Sequence, residues 1–167
     1  PAAAFIASVS KIASFALLIT ITINLLPSRW PLLLVILAAA SMFAGNLAAL
    51  AQVSVRRLLA YSAIAHAGYM LLALAYFSGR SHDSLLYYIV TYALTTIGAF
   101  GVVGVVERAT GTDRFDGFLG LRKRNPLLAA VLLVLFLSLA GIPPLVGFWA
   151  KFNLFAAVLA AGGGVVP

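Results

Sequence analysis

Two lysines and one histidine stand where so apolar a sequence rarely places a titratable group. Lys11 lies about ten residues into an apolar run, and Lys151 follows the stretch Gly141-Ile142-Pro143-Pro144-Leu145-Val146-Gly147 by four residues. His66 lies ten residues after Arg56, inside a third run. At 1.5 Å per helical residue, Lys11 and His66 come roughly 15 Å from a span end, near the middle of a hydrocarbon layer about 30 Å thick. A charge at that depth costs at least about 2.5–3.5 kcal/mol on insertion scales, and from mid-span a lysine stem barely reaches the surface. Hydrocarbon disfavours the ammonium form, so a lysine held there is one that can release and recapture a proton. An imidazole can pass a proton through its two nitrogens. The chemistry expected is proton transfer by Lys11 and Lys151 with His66 assisting, and charge on one buried lysine propagates by disfavouring charge on the next. Plainer readings stand beside it: a lysine facing a polar groove, a lysine snorkelling from a surface hairpin, a histidine packed in a bundle.

What surrounds these residues narrows the options. Asp83, Glu107, Asp113 and Asp116 all fall at or beyond span ends, so neither lysine has an acidic partner at depth in this chain. Ser8 and Ser14 share a helix face with Lys11 and are expected to order water beside it. Lys151 is expected near the start of a half-helix, where the positive end of the dipole disfavours an ammonium by about 0.3–1 kcal/mol. There is no cysteine, hence no disulfide, iron–sulfur ligation or thiol chemistry. The sequence offers no phosphate-binding glycine loop, metal-ligand cluster, carboxylate pair or nucleophile–base pair, so neither a metal nor a cofactor site is expected in it. With His82 placed at the far surface, haem ligation by a histidine pair is not expected either.

The elements that must position these residues are long and apolar. Hydrophobic residues make up 63% of the chain and charged ones 9%, with a mean hydropathy of +1.11, far from the roughly 25% charged content of soluble domains. Lipid is the expected solvent. Spans are expected at about 5–26, 31–51, 53–77, 85–106 and 126–161, in one all-α, polytopic membrane domain of about five helices. The last run would reach about 54 Å as one helix. Two adjacent prolines remove two backbone donors within it, so it is expected to break near Gly141–Gly147. Either the break is buried, as non-helical backbone at membrane depth must be, or the run is a hairpin turning at the surface.

The net charge of +7 does not point to nucleic acid, because the basic residues fall in short connections. Arg56, Arg57, Arg108, Arg114, Arg122, Lys123 and Arg124 lie on one side, and Arg29 and Arg80 on the other. Seven against two places the connections 52–57 and 107–125 in the cytoplasm. Trp30, Tyr76, Tyr87 and Tyr88 then fall near the opposite ends, as an interfacial aromatic belt. Gly98, Gly101 and Gly104, with Ala99, form a small-residue strip for close helix approach, and Asn46 is an expected interhelical donor. No initiating Met opens the chain, no signal-type segment precedes the first run, and Gly162-Gly163-Gly164-Val165-Val166-Pro167 ends it without a polar tail. It reads as an internal piece of a longer protein.

Two stretches are familiar. Gly45-Asn46-Leu47-Ala48-Ala49-Leu50-Ala51-Gln52, followed by Arg56-Arg57-Leu58-Leu59-Ala60-Tyr61-Ser62-Ala63-Ile64-Ala65-His66-Ala67-Gly68-Tyr69, resembles the antiporter-like membrane subunits of respiratory complex I. Leu137-Ser138-Leu139-Ala140-Gly141-Ile142-Pro143-Pro144-Leu145-Val146-Gly147-Phe148-Trp149-Ala150-Lys151-Phe152 looks like the subunit N lineage of bacterial proton-translocating NADH–quinone oxidoreductase, counterpart of mitochondrial subunit 2. Thr110-Gly111-Thr112-Asp113 and Ser10-Lys11-Ile12-Ala13 fit it as well. The resemblance implies a fragment of an inverted-repeat fold of five plus five core helices, each repeat with a broken helix. Lys11 matches the family's lysine on the eighth helix, Lys151 the lysine on the broken twelfth, and His66 a histidine in the connecting polar chain. It further implies a proton-translocating role within an NADH:quinone oxidoreductase of the bacterial inner membrane. Neighbouring membrane-arm subunits would be its partners, and FMN, iron–sulfur clusters and quinone would sit in other subunits. The alternatives are a subunit of a multisubunit cation/proton antiporter or membrane-bound hydrogenase, or a structural membrane-arm subunit with silent lysines.

Overall fold

The computed structural model describes residues 2–25, 30–76 and 79–162. The expected connection at Pro27-Ser28-Arg29, the side chains of Ser8 and Trp30, and residues 163–167 lie outside the described residues. Helices dominate, in the order α1 (Ala2–Leu25), α2 (Trp30–Leu50), α3 (Val55–Ala75), α4 (Gly79–Thr110), two single turns α5 (Phe115–Phe118) and α6 (Leu121–Arg124), α7 (Pro126–Ala140) and α8 (Val146–Gly162). The stretches Pro31–Leu50, Val55–Ala75 and Arg80–Thr110 are long and apolar enough to cross a membrane, whereas α7 and α8 are each too short to do so alone. Apolar side chains along α2 such as Leu32, Leu33, Ile36 and Leu37 point outward, as lipid-facing positions do.

Local chemistry sets the helix ends. Ser54 caps α3 by accepting from the Arg57 N–H at 3.2 Å, and its own hydroxyl donates to Asp113 Oδ2 at 2.5 Å. The Val55 N–H donates to the Asp113 carbonyl and the Phe115 N–H to the Val53 carbonyl, which pairs Ser54 with Arg114 in a short antiparallel bridge. Arg56 and Glu107 form an ion pair beside it. These bonds stitch the connections 52–57 and 107–125 together on one face, as the basic-residue count requires. Asn125 caps α7 through the Leu128 N–H at 3.1 Å, and Pro126 takes the first helical position, where no N–H is needed.

Helices α2 and α3 pack along most of their length because two glycines let their backbones meet. A methyl on Gly45 would lie 2.6 Å from Ala65 N, and one on Gly68 would lie 2.7 Å from the Ala38 carbonyl. The strip expected in α4 does less: a methyl on Gly98 would lie 3.2 Å from the Leu135 side chain of α7, while Gly101 and Gly104 face open space.

The relation of α7 to α8 decides between the two readings of the fifth run. Leu132, Leu135, Phe136 and Leu139 of α7 pack with Ala99, Phe100 and Val103, in the C-terminal half of α4. Ala150, Leu154 and Val158 of α8 pack with Leu85, Tyr88, Ile89 and Tyr92, in its N-terminal half. The two pieces therefore run in series along α4 and meet only at the break, at the level of residues 91–95. A hairpin would have packed one against the other along their whole length. The fifth run is one crossing made of two half-helices.

Candidate functional site

At the break, four backbone carbonyls of α7 would be left bare, since a helix cannot satisfy its last turn. Gly141 adopts φ +85°, in the left-handed region, and allows the chain to fold back on that turn. The Ile142 N–H then donates to the Leu137 carbonyl and the Gly141 N–H to that of Ser138, the paired bonds of a Schellman ending. The remaining two acceptors go to a side chain from across the break. Lys151 Nζ donates to the Leu139 carbonyl at 2.7 Å and to the Ala140 carbonyl at 3.1 Å. Gly147 makes this reach possible: its N–H donates to Ser138 Oγ at 3.1 Å, and a Cβ there would collide with the Ser138 carbonyl.

The dipole expectation for Lys151 is thereby corrected. Although the residue belongs to the first turns of α8, its stem carries the amine back to the carbonyl end of α7, where the field favours positive charge.

Lys11 is half-buried, and its amine donates to the Ala63 carbonyl of α3 and lies 3.3 Å from Tyr92 Oη of α4. Ala63 is eight residues into α3, about 12 Å from its start, so the amine sits beside the middle of that helix. Its expected polar neighbour Ser14 has a local partner. That hydroxyl bonds back to the Ser10 carbonyl of its own helix.

Between the two lysines lies His66, 5% exposed. Its Nδ1 is 2.6 Å from Tyr88 Oη. The Tyr92 ring lies over it with centroids 4.8 Å apart, and Tyr69 meets it edge-on at 5.6 Å. Each of these last two tyrosines also carries a lysine. Lys11 Nζ is 4.9 Å from the Tyr92 centroid and Lys151 Nζ is 5.4 Å from that of Tyr69, within cation–π range. The three residues singled out in the sequence are thus brought together on a frame of tyrosines.

Tyr69 shares a helix face with His66 and is legible from the sequence, whereas Tyr88 and Tyr92 are what sequence reasoning missed. Tyr88 was expected in an interfacial belt, yet it is 2% exposed and faces His66, whereas its neighbour Tyr87 is 41% exposed. The available signal was periodicity: Tyr88 and Tyr92 are four residues apart, on one face of α4.

Two spaces adjoin the array. A partly open cavity of about 290 Å³ is lined by Asn46, Ser62, His66, Tyr69 and Lys151 among apolar residues. It lies on the side of the break nearer the basic connections, and Asn46 lines it. A narrower space of about 10 Å³, touching His66, Tyr88, Thr91, Thr95 and Lys151, has room for about one water. Among the described residues no group of His, Asp or Glu could hold a metal ion.

A bundle of long apolar helices, one of them broken into two half-helices with half-buried amines beside it, defines a membrane protein of the antiporter-like class. The comparisons agree and are more specific. The family model described as NADH:quinone oxidoreductase/Mrp antiporter, transmembrane, matches residues 1–166, and the chain belongs to that family. It is 52% identical over 171 residues to NADH-quinone oxidoreductase subunit N 2 of Acidobacterium capsulatum, covering 95% of this chain and 34% of the relative. It is 47% identical to the subunit of the same name from Sorangium cellulosum, covering 98% of this chain and 34% of that one. Among solved structures, a chain of respiratory complex I from Thermus thermophilus with bound aureothin matches with a TM-score of 0.68 at 45% identity, over 79% of this chain and 30% of that one. A chain of the Mrp complex from Dietzia sp. matches with a TM-score of 0.74 at 33% identity, over 81% and 26%. The chain spans about a third of the length of the curated relatives it matches.

Proposed function

We propose that the chain is part of a proton-translocating membrane subunit of a bacterial NADH–quinone oxidoreductase, in which Lys11 and Lys151 exchange protons and His66 assists. The observation that carries this is the placement of the two amines on either side of one buried imidazole, within a bundle that contains a broken helix. Each ammonium is held by backbone carbonyls and tyrosine rings instead of a carboxylate. Carbonyls and ring faces stabilise the charged form without an acid that would have to move with the proton. The partly open cavity beside Lys151 gives water a route from the side of the basic connections, read here as the cytoplasmic face of the inner membrane. Names of relatives that are about half identical support the electron-transfer assembly over other machines of the family. Flavin, iron–sulfur clusters and quinone would then belong to partner subunits, and other membrane-arm subunits would flank this one.

The test is made in the full-length subunit within its membrane complex. Lys11→Ala and Lys151→Ala are compared with wild type for protons moved per electron, alongside NADH:quinone turnover. Each variant is expected to lower the proton yield; an unchanged yield in both overturns the reading. A second reading, a Mrp-type cation/proton antiporter, draws on the TM-score of 0.74 to the Mrp chain. Flavin and iron in the purified assembly exclude it, and an assembly without either establishes it.

A further inference from the structure

An imidazole that conducts a proton from one side to the other needs both nitrogens free to exchange. His66 does not have both. Its Nδ1 lies 2.6 Å from the hydroxyl of Tyr88, a residue 2% exposed, so that nitrogen is removed from water. Rotating the ring by half a turn would put a C–H against the hydroxyl in place of Nδ1. Tyr92 tilted over it at 4.8 Å and Tyr69 edge-on at 5.6 Å hold the ring plane as it is. Nε2 is therefore the nitrogen left to serve the cavity that His66 shares with Lys151. To accept a proton there, the neutral ring must carry its hydrogen on Nδ1 and donate it to the Tyr88 oxygen. The hydroxyl's own hydrogen then turns to the narrow space lined by Tyr88, Thr91, Thr95 and Lys151, which has room for about one water.

We propose that Tyr88 is a positioning residue that makes His66 a one-sided proton shuttle. The Nδ1–H stays on the Tyr88 oxygen, and the exchanged proton both arrives and leaves through Nε2. No bond to Nδ1 breaks in the cycle: Nε2 gains a proton from the cavity to give the imidazolium, then returns it there. The inference rests on His66 taking part in proton transfer, as proposed above, and adds a direction to it. Exchange at the ring is confined to Nε2 and the larger cavity shared with Asn46, Ser62 and Lys151, while Nδ1 stays on the tyrosine.

The experiment uses Tyr88→Phe in the full-length subunit within its complex, with proton yields normalised to assembled complex. Phe keeps the packed ring and frees Nδ1. Infrared difference spectra with isotope-labelled histidine report which nitrogen carries the hydrogen. The expected result is an Nδ1–H signature in wild type that becomes mixed in Tyr88→Phe. Proton yield should fall about tenfold, less than the roughly 10²–10⁴-fold expected for losing a proton-transfer group itself, because Tyr88 only positions one, and the pH profile should be displaced. Because Tyr88 acts through His66, the double variant with His66→Gln should be no worse than His66→Gln alone. An Nε2–H signature in wild type, a Tyr88→Phe complex indistinguishable from wild type at every pH, or losses that multiply in the double variant would each overturn the proposal. Should the two lysine variants pump normally, the functional reading falls; should they fail while Tyr88→Phe pumps normally, only the shuttle does.

Discussion

The stem of Lys151 passes over Gly141 so closely that a methyl on Gly141 would lie 3.0 Å from Lys151 Cδ and 3.3 Å from Nζ. Two demands fall on one position, since Gly141 also holds φ +85°. Gly141→Ala should lose about 1–2 kcal/mol to the left-handed backbone and push the amine off the Leu139 and Ala140 carbonyls. The expected outcome is a lower melting temperature of the purified complex together with a reduced proton yield. A variant that melts lower and pumps normally would show that the amine does not depend on this contact.

Lys151 itself has a structural share that its substitution must reveal. Removing the amine leaves the part-buried Leu139 carbonyl and the exposed Ala140 carbonyl without their donor; a buried group left unsatisfied costs about 1–3 kcal/mol, and the Leu139 carbonyl bears most of the loss. Lys151→Met should therefore destabilise the complex as well as silence transfer, whereas Lys151→Arg should recover part of the stability. Thermal melts of the two variants side by side separate the roles; equal melting temperatures for Met and wild type would disprove the capping role.

Glycine substitutions should sort by what each glycine touches. Gly45→Ala and Gly68→Ala press a methyl on the backbone of the facing helix, and Gly147→Ala drives one into the Ser138 carbonyl. Each is expected to cost several kcal/mol or prevent assembly, at or beyond the upper end of overpacking effects of about 1–3 kcal/mol. Gly101→Ala and Gly104→Ala, with nothing within 4 Å, should assemble at wild-type levels. Quantitative blots of the membrane complex would read the contrast, and equal loss across all five would refute it.

At the charged face, two neighbouring contacts should differ in weight. Ser54 both caps α3 and donates to Asp113, so Ser54→Ala should lose about 1–2 kcal/mol. Glu107→Gln removes the partner of Arg56 in a partly exposed ion pair and should change stability by no more than about 1 kcal/mol. Denaturation midpoints of the two variants test the order.

Much of this architecture was legible in the residues. Long apolar runs announce crossings because backbone groups in lipid must bond internally, and Pro143-Pro144 announces the break because neither residue can donate. Whether the two pieces continue in series or fold back was not legible, since that depends on which half of α4 each piece finds apolar and open. Lys11, His66 and Lys151 stood out because polar groups at depth are rare. Tyr88 and Tyr92 did not, since a tyrosine within a few turns of a helix end looks the same whether it anchors at the headgroups or turns inward. The dipole argument for Lys151 failed for a related reason: sequence position locates a Cα, and a four-carbon stem can set its charge beside a different helix end.

Lys151 also closes the end of α7. Anything that draws the amine away uncovers two carbonyls, and anything that parts the two half-helices strips the amine of its acceptors. Proton occupancy at position 151 and the joint between the half-helices therefore draw on one shared free energy. Strain applied to that joint from elsewhere in the membrane would be felt at the amine as a change in its hold on hydrogen.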